Sequence, residues 1–114
     1  MNFGLSDKTI TLIQNVFAKY PQINKVVIYG SRAKCNYKNG SDIDLTMYGS
    51  DIPHRLLLTL LIELDDLMLP YTIDLSIFSN IDNVNLKEHI NKVGKTFYSC
   101  NKLDIQHSPP GATL

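Results

Sequence analysis

An α/β (α+β) domain, with a short mixed sheet of three to four strands flanked by helices, is the fold this sequence predicts. Three observations carry that reading. Short apolar runs rich in β-branched residues recur at 25–29, 42–47 and 72–78, each about one strand long. Before and between them, apolar residues repeat every three to four positions, the helical period. At 114 residues, 44 % of them apolar, the chain can build one hydrophobic core but not two.

The elements follow in order. Ser6 can cap a helix with Asp7 in its first turn. Ile10, Ile13, Val16, Phe17 and Tyr20 then form one helical stripe, which Pro21 ends. Lys25-Val26-Val27-Ile28-Tyr29 reads as the first strand and residues 42–47 as the second. A polar connector, 32–41, joins them, with Asn39-Gly40 as a turn signal and Gly49-Ser50-Asp51 as the break after the second strand. Pro53 opens a helix that should run to about Leu69, before Pro70. Its run of leucines is apolar on more than one face, so the core or a partner chain must cover the excess. A third strand, 72–78, precedes a helix from 84 or 85 to 93, which Gly94 should end. Thr96-Phe97-Tyr98 is either a last short strand or a packing segment. Residues 1–100 thus read as one domain. The tail 101–114, with Ser108-Pro109-Pro110-Gly111 and no periodicity, is expected to be disordered.

The chemistry concentrates at Gly30-Ser31 and Asp42-Ile43-Asp44. Side chains at i and i+2 of a strand share a face, so Asp42 and Asp44 would stand side by side. Two adjacent like charges are costly without a positive charge between them. A divalent cation with oxygen ligands, such as Mg²⁺ shared with a phosphate, is the usual solution. Glycine lets the backbone approach a ligand, and a serine hydroxyl with free N–H groups can cradle phosphate. Together these parts point to phosphoryl or nucleotidyl transfer. The alternative is a Gly-Ser turn and two solvated aspartates beside a hairpin.

Gly30-Ser31-Arg32-Ala33-Lys34 followed by Ser41-Asp42-Ile43-Asp44-Leu45 resembles the signature of the polymerase β-type nucleotidyltransferases. The short chain is most similar to the minimal nucleotidyltransferases, which are often encoded beside a HEPN-domain protein. The resemblance spans roughly residues 6–98 and implies a small nucleotidyltransferase fold. It also implies a third carboxylate on a later strand. Asp74 fits that position, with Asp74 and Ser76 facing one way and Ile73, Leu75 and Ile77 the other.

On this reading Asp42, Asp44 and Asp74 are metal ligands for one or two Mg²⁺ ions. Asp74 either completes the metal site or draws the proton from the attacking hydroxyl. Gly30 and Ser31 hold the terminal phosphates of ATP. Arg32 and Lys34 either add positive charge beside them or sit solvated on the connector. Ser41 is a further nucleotide-site candidate, or caps the turn ahead of the aspartates. One residue departs from the pattern: Cys35 stands where the family usually has glycine, and a cysteine would be strained there if the backbone needs φ > 0. With Arg32 and Lys34 nearby, Cys35 reads either as a reactive cysteine or as an ordinary free thiol.

Composition limits the partners. Eleven Lys and Arg balance eleven Asp and Glu, so there is no overall basic footprint for long nucleic acid. No segment reads as a signal peptide or a membrane span. Cys35 and Cys100 make no disulfide framework, and a reducing cytoplasm is the expected setting. His54, His89 and His107 are too scattered for a metal cluster and read as surface residues. A catalytic core this short has no second lobe to hold an acceptor, so one must dock from outside. The resemblance implies a HEPN ribonuclease toxin adenylylated on tyrosine, and self-association is the fallback. Two other readings are a non-catalytic antitoxin that neutralises by contact, and an aminoglycoside-type nucleotidyltransferase, which would carry an additional domain.

Overall fold

The computed structural model describes residues 2–38 and 40–100. Among them the chain forms, in order, α1 (Asp7–Ala18), β1 (Lys25–Tyr29), β2 (Ile43–Tyr48), α2 (His54–Asp65), β3 (Ile73–Ile77), a 3-10 turn (Phe78–Asn80), α3 (Val84–Val93) and β4 (Lys95–Ser99). The strands make one mixed sheet in the order β3-β2-β1-β4. β1 runs antiparallel to both β2 and β4, whereas β2 and β3 are parallel. A parallel pair cannot be joined by a hairpin, and α2 provides the crossover.

Local chemistry sets the ends of the helices. Ser6 caps α1, its Oγ accepting from the Thr9 N–H at 3.1 Å. Asn83 caps α3 in the same way through the Leu86 N–H. Gly94 does end α3, with φ −63°, outside the left-handed region that glycines often adopt at helix ends. Space is what requires glycine there, because a Cβ would run into the Ile90 carbonyl and the Val27 side chain. The helix expected over 53–69 stops four residues early, at Asp65. Leu67 and Met68 donate instead to the carbonyls of Leu64 and Asp65, and Met68 turns left-handed with φ +56°. Asp65 and Asp66 place negative charge at the negative end of the helix dipole with no basic residue in the last turn, which favours termination there. Thr96-Phe97-Tyr98 does form a strand. The β1–β4 register slips between Val26 and Val27, and Phe97, skipped by the pairing, is buried in the core.

The two faces of the sheet differ. On one, Val26, Ile28, Leu45, Met47, Leu75 and Ile77 pack under α1 and α2 with Phe17, Leu60 and Leu64. Lys19 pairs with Glu63 at 2.5 Å, and Tyr20 donates its hydroxyl proton to the same carboxylate, so α1 and α2 are also tied at the surface. On the other face, among the described residues, α3 and the 3-10 turn cover the sheet, through a small cluster of Val27, Tyr29 and Ile90 and the ring of Phe78 stacked on Tyr48. Both sheet edges, β3 and β4, carry five residues each. The Asn39 part of the turn signal and the tail 101–114 lie outside the described residues.

Candidate active site

Strand register builds the site on the α3 face. Tyr29 of β1 pairs with Asp44 of β2, and Asp44 pairs with Asp74 of β3. Paired residues project to the same side, so Tyr29, Asp44 and Asp74 form one row across three strands. Asp42 lies two residues ahead of Asp44, exposed, just before β2 begins. The next row inward is Val27, Thr46 and Ser76. There the Ser76 hydroxyl donates to Thr46 Oγ1 at 2.9 Å, satisfying the buried threonine.

The electrostatics follow from that row. Burial pushes the Asp44 carboxyl above the usual carboxylate range, and the charges of Asp74 and Asp42 push it further, while His89 pulls it back. The Tyr29 hydroxyl is also pushed up, by burial first and then by Asp74; a hydrogen bond with Ser76 opposes this and Asp44 adds to it. Three carboxylates therefore interact on one face with their repulsion largely uncompensated. His89 is the correction to the sequence reading: it is not a bystander on the surface. Its ring meets Tyr29 edge-on at 6.2 Å between centroids, half-buried above the carboxylate row. Only the crossing of α3 over β1 brings it there, and no local signal in the sequence marks it.

Beside the row lies the Gly-Ser turn. Gly30 has φ +76° and sits against Asp44, so a Cβ at residue 30 would overlap the carboxylate oxygen. The following residues form a single helical turn. Lys34 N–H donates to Gly30 C=O at 3.2 Å, Cys35 N–H to Arg32 C=O at 3.4 Å and Asn36 N–H to Ser31 C=O at 3.1 Å. The last two bonds are the paired closure of a helix whose next residue is left-handed. That residue is Cys35, with φ +64°, where glycine would be unstrained. The turn closes despite the cysteine, which is exposed. The N–H groups of Ser31, Arg32 and Ala33 are those that one helical turn leaves without an internal partner.

Arg32 is placed differently from a solvated or phosphate-facing cation. It is only 2 % exposed. Its Nε and Nη2 donate to the Ser41 carbonyl at 3.1 and 2.9 Å, and Nη1 donates to the Phe3 carbonyl at 2.8 Å. The Ser41 hydroxyl accepts from the Lys38 N–H at 2.8 Å, so Ser41 also closes the turn ahead of β2. Lys34 is exposed on the helical turn beside Cys35.

The donor set suits a hard cation shared with a phosphate. Among the described residues, no three His, Cys, Asp or Glu side chains converge into a ready-made cage. Mg²⁺ does not need one, since it takes one or two carboxylates and fills its shell with phosphate oxygens and water. The Asp44–Asp74 row with Asp42 beside it has carboxylates enough to fit such an ion.

A mixed sheet that sets a glycine-serine turn against a row of carboxylates defines a nucleotidyltransferase domain. The family model described as "Polymerase beta, Nucleotidyltransferase" matches residues 11–103, and the chain belongs to that family. Its fold is that of a minimal nucleotidyltransferase, as solved structures show. It superimposes on a chain in the crystal structure of a toxin–antitoxin with AMP-PNP with a TM-score of 0.65 and 18 % identity, covering 89 % of this chain and 79 % of that one. A chain from the MntA–HepT toxin–antitoxin gives 0.63 and 16 %, covering 87 % and 76 %. A chain from the tri-AMPylated Shewanella oneidensis HEPN toxin in complex with its MNT antitoxin gives 0.56 and 18 %, covering 84 % and 76 %. No curated protein matches the sequence.

Proposed function

We propose that the protein is a Mg²⁺-dependent nucleotidyltransferase that moves AMP from ATP to a hydroxyl of a partner protein, acting as antitoxin to a HEPN-type toxin in the cytoplasm. The observation that carries this is the register that lines Asp44 up with Asp74 beside Gly30. Gly30 and Ser31 receive the terminal phosphates on the free N–H groups of the turn, with Lys34 as the nearby cation. Asp42, Asp44 and Asp74 would hold Mg²⁺, which when bound neutralises the triphosphate and polarises the phosphorus under attack. Asp74, on the exposed edge strand, accepts the proton of the incoming hydroxyl. The hydroxyl oxygen bonds to the α-phosphorus as the bond to the departing pyrophosphate breaks.

The exposed surface of α2 favours a protein acceptor. α2 leaves Leu58 and Ile62, one helical turn apart, exposed to solvent, an apolar stripe suited to a helical partner. The three structural relatives are all chains of toxin–antitoxin assemblies. Incubating the chain with labelled ATP, Mg²⁺ and the product of its neighbouring gene tests the reading. Label should pass to the partner and vanish when EDTA is added. Transfer to an aminoglycoside with none to the partner would sink it.

A further inference from the structure

We propose that Arg32 is the positioning residue of the site, a single guanidinium that ties the turn leaving β1 to the segments entering β2 and β3, the three strands that present functional groups. This rests on the nucleotidyltransferase reading above. Arg32 itself belongs to the Gly-Ser turn that leaves β1. Two of its N–H groups grip the Ser41 carbonyl, one residue before Asp42. Its Cζ lies 4.9 Å from the ring centroid of Tyr71, which enters β3 three residues ahead of Asp74. Tyr37, in the connector, stands at 5.2 Å.

A charge so deeply buried needs compensation, yet none of these partners is a carboxylate. Carbonyl dipoles and aromatic faces solvate the guanidinium instead. The N-terminal segment completes the enclosure at a cost in backbone strain. Phe3 has φ +58°, an outlier for a bulky residue, and its carbonyl accepts from Nη1. Gly4 follows with φ +72°, packed so closely that a Cβ would strike the Tyr37 ring. Strain of this kind persists only where the surroundings over-determine it. The Ile43 N–H to Thr72 C=O bond, 2.9 Å long, then locks the starts of β2 and β3 together just beyond the guanidinium. Among the described residues of the connector, Ala33 packs into the core while those from 34 on are mostly exposed, which leaves the spacing of turn and carboxylates to other contacts. The fork and plane of Arg32 set it.

Arg32→Lys keeps the charge but loses the fork and the plane. A misplacement of a few tenths of an ångström acts on the transition state more than on ground-state binding. The lysine variant should therefore melt cooperatively, lose roughly tenfold or more in kcat, and change KM for MgATP by less than about threefold. Hydrogen exchange, which needs no activity, should speed up together at the amides of Asp42, Ile43 and Thr72 while α2 is unaffected. Tyr71→Leu, which spares every hydrogen bond, should move both readouts the same way but less. A raised KM at unchanged kcat would make Arg32 a phosphate contact and overturn the proposal. So would faster exchange confined to residues 32 and 41. If Arg32→Lys does not fold, normal kcat and exchange in Tyr71→Leu would overturn it. A wild-type chain that transfers nothing would defeat the parent reading, while the exchange pattern would still decide the role of Arg32.

Discussion

The two faces of the sheet divide the work of the molecule. Under α1 and α2, the side chains of β1, β2 and β3 alternate into a dry layer in which Ile28, Leu45 and Met47 are fully buried. One residue along the same strands, on the opposite face, lie Tyr29, Asp44 and Asp74, only partly roofed by α3. The first face gains free energy for every apolar atom it removes from water. The second holds like charges together at a cost. A fold this small can carry such a cost because the strands are shared: the dry face holds the backbone in place while the wet face stays strained. Burial drives the fold, and incomplete burial leaves room for chemistry.

Replacing Asp42 and Asp44 together by asparagine tests this division most severely. Transfer should fall to background while the fold survives, since two mutually repelling charges disappear. A labelled-ATP assay and a thermal melt read the two halves; a collapsed melt would mean that the wet face is structural after all. Asp74→Asn should lower the rate by about 100-fold or more, the usual scale for a lost general base, with little change in nucleotide affinity. Weaker affinity at an unchanged saturating rate would reduce Asp74 to a binding residue.

On the dry face, Leu60→Ala should cost about 2–5 kcal/mol in stability through its cavity. Turnover per folded molecule should stay unchanged well below the melt. A lowered kcat at full folding would show that the two faces are coupled more tightly than the packing implies.

The raised Asp44 pKa predicts how that strain depends on pH. A carboxyl whose pKa rises on folding holds its proton more tightly in the native state, so its ionisation destabilises the fold. The penalty is complete above the folded pKa and absent below the ordinary value of 3.8. Metal-free Asp44→Asn should therefore melt above wild type at neutral pH, and the gain should fade as the pH drops towards that value. A gain that persists in acid would assign it to something other than charge. The smallest expected effect is in the helical turn after β1. Cys35→Gly should stabilise by about 1 kcal/mol, by relieving a left-handed non-glycine residue. No change in a denaturant titration would show that the neighbouring backbone has already absorbed the strain.

Much of this organisation was legible in the chain. The sequence places β1 at its observed bounds, and β2 and β3 to within a residue, because short apolar runs and flanking turn residues are local signals. The stripe of α1 and its Ser6 cap are equally local. The overrun of α2 past Asp65 came from treating Pro70 as the stop, when a pair of aspartates and a left-handed Met68 end the helix sooner. Cys35 stands where the family usually has glycine, and its φ of +64° is the left-handed backbone at which a cysteine is strained.

What the sequence determined by itself is which residues face together within a strand: Asp42 with Asp44, and Asp74 with Ser76, since the pleat alone decides that. What only the tertiary structure decided is which strands meet and in what register. Asp44 lies opposite Asp74 because β2 and β3 pair in parallel from Ile43 and Ile73, a match set across thirty residues by the α2 crossover and the core beneath it. The same non-local packing brings His89 to Tyr29 and buries Arg32 between Ser41, Phe3 and Tyr71. A residue's type shows what it can bond to; its partners depend on long-range packing, whose energy is shared by many residues and written in no short segment.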